Sequence, residues 1–283
     1  MTTAALRDYL AQLAKPARPD PRMWLNDHGQ AEGRFFNCSL TSAFQPLRET
    51  GTGRTVAYEA VVRHVDEHSA NLSLWRMLDQ AASDDESVEL DRLCRMLHAI
   101  NFFRQSDAAD SALLVNVHNR LLSSVSSNHG YAFRRILDAL ELPVERIVLQ
   151  LPEATPGQRW LLGYVSDNYK RNGMRMAMHL PNLAAARDIL SLTQPALARI
   201  HASAIGSDVE LHQLLALTGE FGVQLVVKHI DTAAQLALVA RVSAAAGAPV
   251  WTQGSAVGGK ESRVLGRSYG HSQDSAHPLL QRA

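Results

Sequence analysis

The amino-acid sequence predicts an α/β fold, a closed (β/α)8 barrel. Eight short apolar runs alternate with longer stretches of helical composition between residue 35 and residue 253. Most of these runs are apolar without interruption, which is expected of strands that are covered on both faces. A chain of 283 residues is also long enough for one barrel of about 250 residues with short extensions.

The predicted elements follow one another in a regular order. An N-terminal arm, residues 1–33, is expected to carry a short helix over residues 4–14, which ends because three prolines fall between residues 15 and 21. The barrel is expected over residues 34–260, and a polar tail over residues 261–283 is expected to fray. The predicted strands cover residues 35–46, 55–65, 112–118, 146–152, 175–180, 197–202, 223–230 and 248–253. The predicted helices lie near residues 71–104, 120–140, 157–172, 183–194, 207–221 and 232–246.

Local signals delimit several of these elements. Glycine follows three of the predicted helices, at Gly173, Gly222 and Gly247, where it favours helix termination. Asp231-Thr232 supplies an N-cap for the last helix. The sequence Glu-Thr-Gly-Thr-Gly-Arg at residues 49–54 predicts a tight turn between the first two strands, so these two strands should be antiparallel.

Composition excludes several classes of function. The 28 basic residues balance the 28 acidic ones, so nothing in the charge favours direct binding to nucleic acid or to an anionic membrane. The two cysteines, Cys38 and Cys94, are predicted to be buried, reduced thiols. The chain starts without a signal-peptide pattern, and no apolar run approaches the roughly 20 residues of a membrane helix. The sequence therefore predicts a cytoplasmic protein.

Polar residues recur where the predicted strands end. Because barrel enzymes carry their chemistry at the carboxyl ends of the strands, this is the expected position of a site. Glu59 and Arg63 also share one face of their strand, because they are separated by an even number of residues. They can offer a ligand oxygen and a phosphate-binding guanidinium, or form a buried salt bridge with each other. The polar residues at strand ends are Glu59, Asn116, Gln150, His179, His201, Lys228 and Gln253.

Several short motifs in this order resemble those of the EAL domain, the cyclic di-GMP phosphodiesterase fold of bacteria. Residues 59–63, Glu-Ala-Val-Val-Arg, resemble the family's Glu-Ala-Leu-x-Arg, and Gln45-Pro46 resembles its Gln-Pro. Residues 115–117, Val-Asn-Val, are similar to its Val-Asn-Leu, and Gln253-Gly254 matches its Gln-Gly. The resemblance, which spans roughly residues 40–260, implies a TIM-like barrel of EAL type with an antiparallel first strand pair.

The same resemblance implies that most of the family's metal ligands have been replaced. Gln150 stands at the position of a metal-binding glutamate, and His179 and Leu180 stand at those of two metal-binding aspartates. Arg199 replaces the lysine that orients the attacking water, and Lys228 replaces a catalytic glutamate. Hydrolysis in the family needs Mg²⁺ or Mn²⁺ held by carboxylates. We therefore expect that the metal pair, and with it catalysis, has been lost.

Ligand binding need not be lost with catalysis, because cationic side chains can hold a phosphate without a metal. The resemblance predicts a catalytically inactive signalling protein of motility, biofilm or transcription control. Such a protein would act as an adaptor for an unidentified protein partner or as a metal-independent cyclic di-GMP receptor, and it could form a homodimer. The residues expected at cyclic di-GMP, if it binds, are Gln45, Glu59, Val61, Arg63, Asp91, Asn116, Arg199, Lys228 and Gln253.

Two enzymatic alternatives remain open from the sequence. One is a cyclic di-GMP phosphodiesterase with weak residual metal-dependent activity. The other is a new chemistry that uses His179, His201 and Lys228. The two histidines could also bind a transition metal together with Glu59, because imidazole and carboxylate are ligands that such ions accept.

Overall fold

The computed structural model describes residues 3–13, 22–36, 38–65, 83–106, 110–118, 130–153 and 159–260. These residues form one sheet whose last eight strands close into a barrel, as the sequence predicts. The strands are β1 (Met23–Leu25), β2 (Ala31–Phe35), β3 (Cys38–Glu49), β4 (Thr55–His64), β5 (Ala112–Asn116), β6 (Ile147–Gln150), β7 (Arg175–His179), β8 (Leu197–His201), β9 (Gln224–Lys228) and β10 (Trp251–Thr252).

The barrel closes through its first strand. β3 pairs antiparallel with β4 on one side and with β10 on the other, whereas all pairs from β4 to β10 are parallel. The predicted antiparallel first pair is therefore confirmed. Its tight turn is also confirmed: the amide of Gly53 donates to the carbonyl of Glu49 at 3.0 Å. Gly51 and Gly53 have φ of +81° and +64°, which glycine adopts without steric penalty.

Helices surround the described part of the barrel, and side-chain caps begin several of them. Ser83 and Glu86 form a capping box at the second helix, and Thr232 caps the last one as predicted. Residues 71–82 and 120–129, also predicted to be helical, lie outside the described residues. The helices are α1 (Ala4–Leu13), α2 (Asp84–Phe103), α3 (Tyr131–Ala139), α4 (Arg159–Arg171), α5 (Leu183–Thr193), α6 (Asp208–Glu220) and α7 (Ala233–Ala246).

The N-terminal arm contains more than the predicted helix. Besides α1, it forms the hairpin of β1 and β2, and β2 pairs antiparallel with β3. The buried side chain of Asn101 on α2 holds this hairpin. It accepts from the amide of Ala31 at 2.7 Å and donates to the carbonyl of Ala31 at 2.7 Å. The first barrel strand accordingly begins at Cys38 and not at residue 35, because Phe36 turns the chain with φ of +48°.

The barrel interior is arranged in layers, because alternate residues of a strand point to the same face. The inner apolar layer is formed by buried side chains from seven strands: Leu47, Ala57, Leu114, Val148, Ala177, Leu197 and Val226. The next layer toward the carboxyl ends of the parallel strands is reached by moving two residues along each strand. That step leads to polar side chains on every one of these strands, so the apolar core ends at the barrel mouth.

Two other predictions concern exposure and membranes. Cys94 is buried, but Cys38 is only half-buried, and both thiols are free. None of the helices in the described ranges is long and apolar enough to cross a membrane.

Candidate functional site at the barrel mouth

A polar layer closes the mouth of the barrel. On each strand, its member lies two residues beyond the residue of the inner apolar layer. For β10 that member is Gln253, which lies two residues beyond Trp251. The sequence predicted most of this layer, because polar residues at strand ends are visible as soon as the strands are delimited. The layer contains Gln45, Glu59, Asn116, Gln150, His179, Arg199, Lys228 and Gln253.

Glu59 is the centre of a hydrogen-bonded network in this layer. Its Oε2 accepts from Nη2 of Arg199 at 2.8 Å and from Nε2 of Gln253 at 2.7 Å. Its Oε1 accepts from Nδ2 of Asn116 at 3.3 Å. The same Nη2 of Arg199 also donates to Oε1 of Gln253 at 2.6 Å, so these three side chains hold one another. The network fixes the only carboxylate of the polar layer.

The environment of Glu59 keeps it ionised. Burial alone raises the pKa of its carboxyl group, but the positive charge of Arg199 and the hydrogen bonds from Arg199, Gln253 and Asn116 outweigh that effect. Together they lower the pKa of Glu59 from the usual 4.5 to about 2. Arg199 is 1% exposed, so its charge is compensated by Glu59 in a place that water hardly reaches. Glu59 and Arg199 therefore form a structural ion pair.

Arg63 does not take part in this network. A buried Glu59–Arg63 salt bridge was one interpretation of the sequence, and it is wrong: Glu59 pairs with Arg199, and Arg63 is exposed. The reason is the layered interior. Arg199 lies in the same layer as Glu59, whereas Arg63 lies two layers farther out along β4. Arg63 can reach a ligand only from outside the mouth.

A cavity of about 340 Å³ opens beside this network. It brings together six residues that were predicted at the ligand, whereas Arg63, Asp91 and Asn116 are not among its lining side chains. Asn116 contacts the cavity indirectly, through its hydrogen bond to Glu59. The lining consists of Gln45, Glu59, Val61, Arg199, Lys228, His229, Asp231, Gln253, Gly254, Ser255 and Lys260.

Asp91 has a structural environment. It is 1% exposed, on α2, where it forms a buried ion pair with Arg95 and accepts from the amide of His118 at 2.9 Å. Burial of both partners makes this pair part of the helix–barrel packing, and Asp91 is not among the residues that line the cavity.

One wall of the cavity comes from the loops that follow β9 and β10. Asp231 accepts from the amide of Ser255 at 3.1 Å and from its hydroxyl at 2.7 Å, which ties the loop after β9 to the loop after β10. Gly254 lies against the backbone of Ile230, and a Cβ there would be 2.0 Å from the carbonyl oxygen. Only the Gln253-Gly254 motif pointed to this wall, because Asp231 was interpreted as part of a helix cap.

A second cluster at the mouth consists of imidazole rings. The rings of His179 and His201 are 5.1 Å apart, and that of His229 stacks on His201 at 4.4 Å. Nε2 of His179 lies 2.8 Å from Oε1 of Glu153. The carboxylate beside the histidines is therefore Glu153 and not Glu59, which the sequence suggested as the third ligand. Glu59 is not available, because Arg199 holds it.

His179 and His201 are neutral near pH 7. Burial, followed by the charge of Lys228, lowers the pKa of His179 to about 3 and that of His201 to about 4. Contact between His179 and Glu153 is then a hydrogen bond from a neutral ring. Lys228 itself has a lowered pKa, first because of burial and then because of Arg199. Imidazoles in the neutral form can accept a metal ion or bind a ligand by hydrogen bonds.

Comparison with known proteins identifies the family. Residues 30–248 match the model of the EAL domain family. A search of curated proteins gave no match. Among solved structures, the chain is similar to Bacillus subtilis YkuI, described as having an EAL domain in complex with substrate c-di-GMP and calcium. The identity is 20% and the TM-score 0.65, over 81% of this chain and 57% of the YkuI chain.

Two further structures show the same fold. The FimX EAL domain is 18% identical with a TM-score of 0.64, over 79% of this chain and 91% of the FimX chain. Klebsiella pneumoniae BlrP1, in a manganese and cyclic di-GMP complex, is 15% identical with a TM-score of 0.62. That match covers 78% of this chain and 57% of the BlrP1 chain. Since the family match extends over most of its length, the chain belongs to the EAL domain family.

Proposed function

We propose that this chain is an EAL domain that acts in cyclic di-GMP signalling by binding and not by hydrolysis. The observation that carries the proposal is the 2.8 Å ion pair between Glu59 and Arg199 in the polar layer of the mouth. The carboxylate of Glu59, which resembles the family's first metal ligand, is bound by the guanidinium of Arg199.

This arrangement supports the loss of the pair of Mg²⁺ or Mn²⁺ ions. Hard cations of this kind are held by oxygen ligands, usually with a carboxylate for each ion, and Glu59 is the only carboxylate in the polar layer. Arg199 and Lys228 add positive charge, which repels a cation in a poorly hydrated site. Opening the ion pair to admit a metal would leave the 1% exposed Arg199 without its counter-ion. Loss of the hard-metal pair is part of this proposal.

The same positive groups suit a phosphate. YkuI and BlrP1 were solved with cyclic di-GMP beside calcium or manganese. Here Lys228 and Lys260 line the cavity, and Nε and Nη1 of Arg199 have no hydrogen-bond partner among the described residues. A volume of about 340 Å³ is at the lower end of ligand pockets, which range from about 300 to 1,000 Å³. A dinucleotide would therefore bind across the mouth, with only part of it inside.

A protein-interaction role belongs to the same proposal. Trp160 and Tyr164 on α4 and Leu192 on α5 are 71%, 45% and 45% exposed. Leu192 packs over Gly163, which lies between the two aromatic residues in the sequence of α4. An exposed apolar cluster of this kind suits contact with another protein. An adaptor would bind a protein partner and a receptor would bind cyclic di-GMP, but neither would hydrolyse cyclic di-GMP.

Turnover and binding assays test the proposal. Cyclic di-GMP incubated with the protein and Mg²⁺ or Mn²⁺ should give no linear product. Calorimetry in EDTA should show metal-independent binding for the receptor, weakened by Lys228→Met and unaffected by Lys170→Met on the outer helix α4. Absence of heat at high micromolar nucleotide would leave the adaptor role. Turnover that is lost in Glu59→Ala would overturn the proposal.

Residual metal-dependent hydrolysis is the second candidate. It is favoured by one observation, the group of Glu153, His179 and His201, whose potential ligand atoms all lie within 4.8 Å of one another. A metal held there could activate water without Glu59. In that case turnover would survive Glu59→Ala and would be lost in His201→Gln.

A further inference from the structure

We propose that Glu153, His179 and His201 form a site for one transition-metal ion of the Zn²⁺ class, with a coordination position left open. The proposal goes beyond a binding function for the EAL domain and does not depend on it. It concerns a single transition-metal ion at the mouth, bound by imidazole and carboxylate, and not the pair of Mg²⁺ or Mn²⁺ ions that Glu59 would have to hold.

Strand register brings the two imidazoles together. His179 on β7 is in register with Arg199 on β8, and His201 follows two residues later on the same face of β8. The two histidines are therefore diagonal neighbours, with ring centroids 5.1 Å apart in an edge-to-face arrangement. Ordinary parallel pairing thus places two nitrogen ligands side by side at the mouth, without any unusual backbone conformation.

The loop after β6 supplies the carboxylate. Glu153 lies three residues beyond the end of β6, and its Oε1 is 2.8 Å from Nε2 of His179. All three potential ligand atoms lie within 4.8 Å of one another. Tetrahedral zinc sites, with bonds of about 2.0–2.1 Å, need ligand atoms roughly 3.3 Å apart. Glu153 already lies close to His179, and because its side chain is 63% exposed, its carboxylate can adjust its distance to His201.

An unsatisfied nitrogen supports a ligand at this point. His179 is 7% exposed, and its Nδ1 has no hydrogen-bond partner among the described residues. Buried ring nitrogens are normally bonded to protein, water or metal. When one imidazole nitrogen binds a metal, the other usually bonds a carboxylate or carbonyl. Nδ1 of His179 is therefore a buried nitrogen with no partner among the described residues, beside a carboxylate and a second imidazole.

The donor set selects the kind of metal. Two imidazoles and one carboxylate match catalytic-type zinc sites, which use three protein ligands and a fourth position for water or substrate. Mg²⁺ and Ca²⁺ prefer sites made of oxygen. Lys228 opposes a cation here, because it carries a positive charge and lies in register with His201 on the neighbouring strand β9. Its removal should therefore strengthen metal binding.

Cobalt titration of the untagged protein tests the site. After dialysis against a chelator and its removal, one equivalent of Co²⁺ should produce the intense visible bands of a four-coordinate ion, and one equivalent of Zn²⁺ should abolish them. Millimolar Mg²⁺ should not. Calorimetry with Zn²⁺ should give a stoichiometry of one. Lys228→Met should bind several-fold more tightly.

Three substitutions and one control locate the ion. Glu153→Gln, at an exposed side chain that folding does not need, should weaken Zn²⁺ binding at least 10-fold. His179→Gln and His201→Gln should weaken it further, with unfolding curves recorded to show that each variant is folded. His212→Gln, on the exposed surface of α6, should bind like the parent protein. The proposal would be overturned if the parent protein gave no Co²⁺ bands. It would also be overturned if Glu153→Gln and His201→Gln both bound Zn²⁺ as tightly as the parent protein.

Discussion

The ion pair of Glu59 makes a quantitative prediction about acid stability. Its pKa falls from the usual 4.5 in the unfolded chain to about 2 in the folded protein, although its side chain is only 14% exposed. At 1.36 kcal/mol for each factor of ten, this difference corresponds to about 3 kcal/mol of folding free energy. Because the folded pKa is depressed, this stabilisation is present above pH 4.5 and is lost as the pH falls toward 2.

Urea unfolding of the parent protein and of Glu59→Gln measures this contribution. The glutamine variant cannot titrate at this position, and the other carboxyl groups are shared, so their effects cancel in the difference. The unfolding free energy of the parent protein minus that of Glu59→Gln should be about 1–2 kcal/mol smaller at pH 3 than at pH 6. Glu220→Gln, at an exposed pair with Arg187, is the control and should show little change with pH.

Two outcomes would refute this reasoning. One is a difference between parent and Glu59→Gln that stays constant from pH 6 to pH 3, which would mean that Glu59 has an ordinary pKa. The other is a stable Arg199→Met variant. Removing Arg199 leaves a buried carboxylate without its counter-ion, which should cost about 3–5 kcal/mol at neutral pH. In the double variant with Glu59→Gln, most of that cost should disappear.

Two further substitutions test how the fold holds the site. Gly254→Ala should destabilise the protein by more than about 2 kcal/mol, because its Cβ would overlap the carbonyl of Ile230. Gly219→Ala is the matched control: it adds a methyl group to a helix where nothing lies within 4 Å, so it should stabilise by up to about 1 kcal/mol. Asn101→Ala should cost about 1–3 kcal/mol in a denaturant titration, because it removes the acceptor of the buried amide of Ala31, whereas the carbonyl of Ala31 keeps the hydroxyl of Thr41 as a donor. Unchanged stability of Asn101→Ala would show that the β1–β2 hairpin is not held by this side chain.

The barrel and its polar layer could be predicted from sequence because both depend on local patterns. An apolar run identifies a buried strand, and period-two alternation then places its next polar residue in the mouth. Asn116 and Lys228 were located in this way without knowledge of their neighbours. The β1–β2 hairpin was missed because its strands are three and five residues long and depend on the distant side chain of Asn101. No local pattern contains that contact.

Partner choice inside the mouth could not be predicted for a different reason. Glu59 and Arg199 are 140 residues apart and lie on strands that are not adjacent in the sheet. Sequence spacing indicated that Glu59 and Arg63 share a face, and they do, but closure of the barrel brings Arg199 into the same layer as Glu59. Similarly, Glu153 lies in a loop, where no periodicity states which way a side chain points.

The ion pair also connects the two proposals about this protein. A mouth with several carboxylates and no metal would be destabilised by the repulsion between them, so its stability would depend on bound cations. Here Glu59, Arg199 and Gln253 compensate one another without a ligand. The barrel can therefore fold and remain stable with its mouth empty. Any ion that binds at Glu153, His179 and His201 should therefore add stability to a barrel that is already folded, and its removal by a chelator should lower the stability without unfolding the protein.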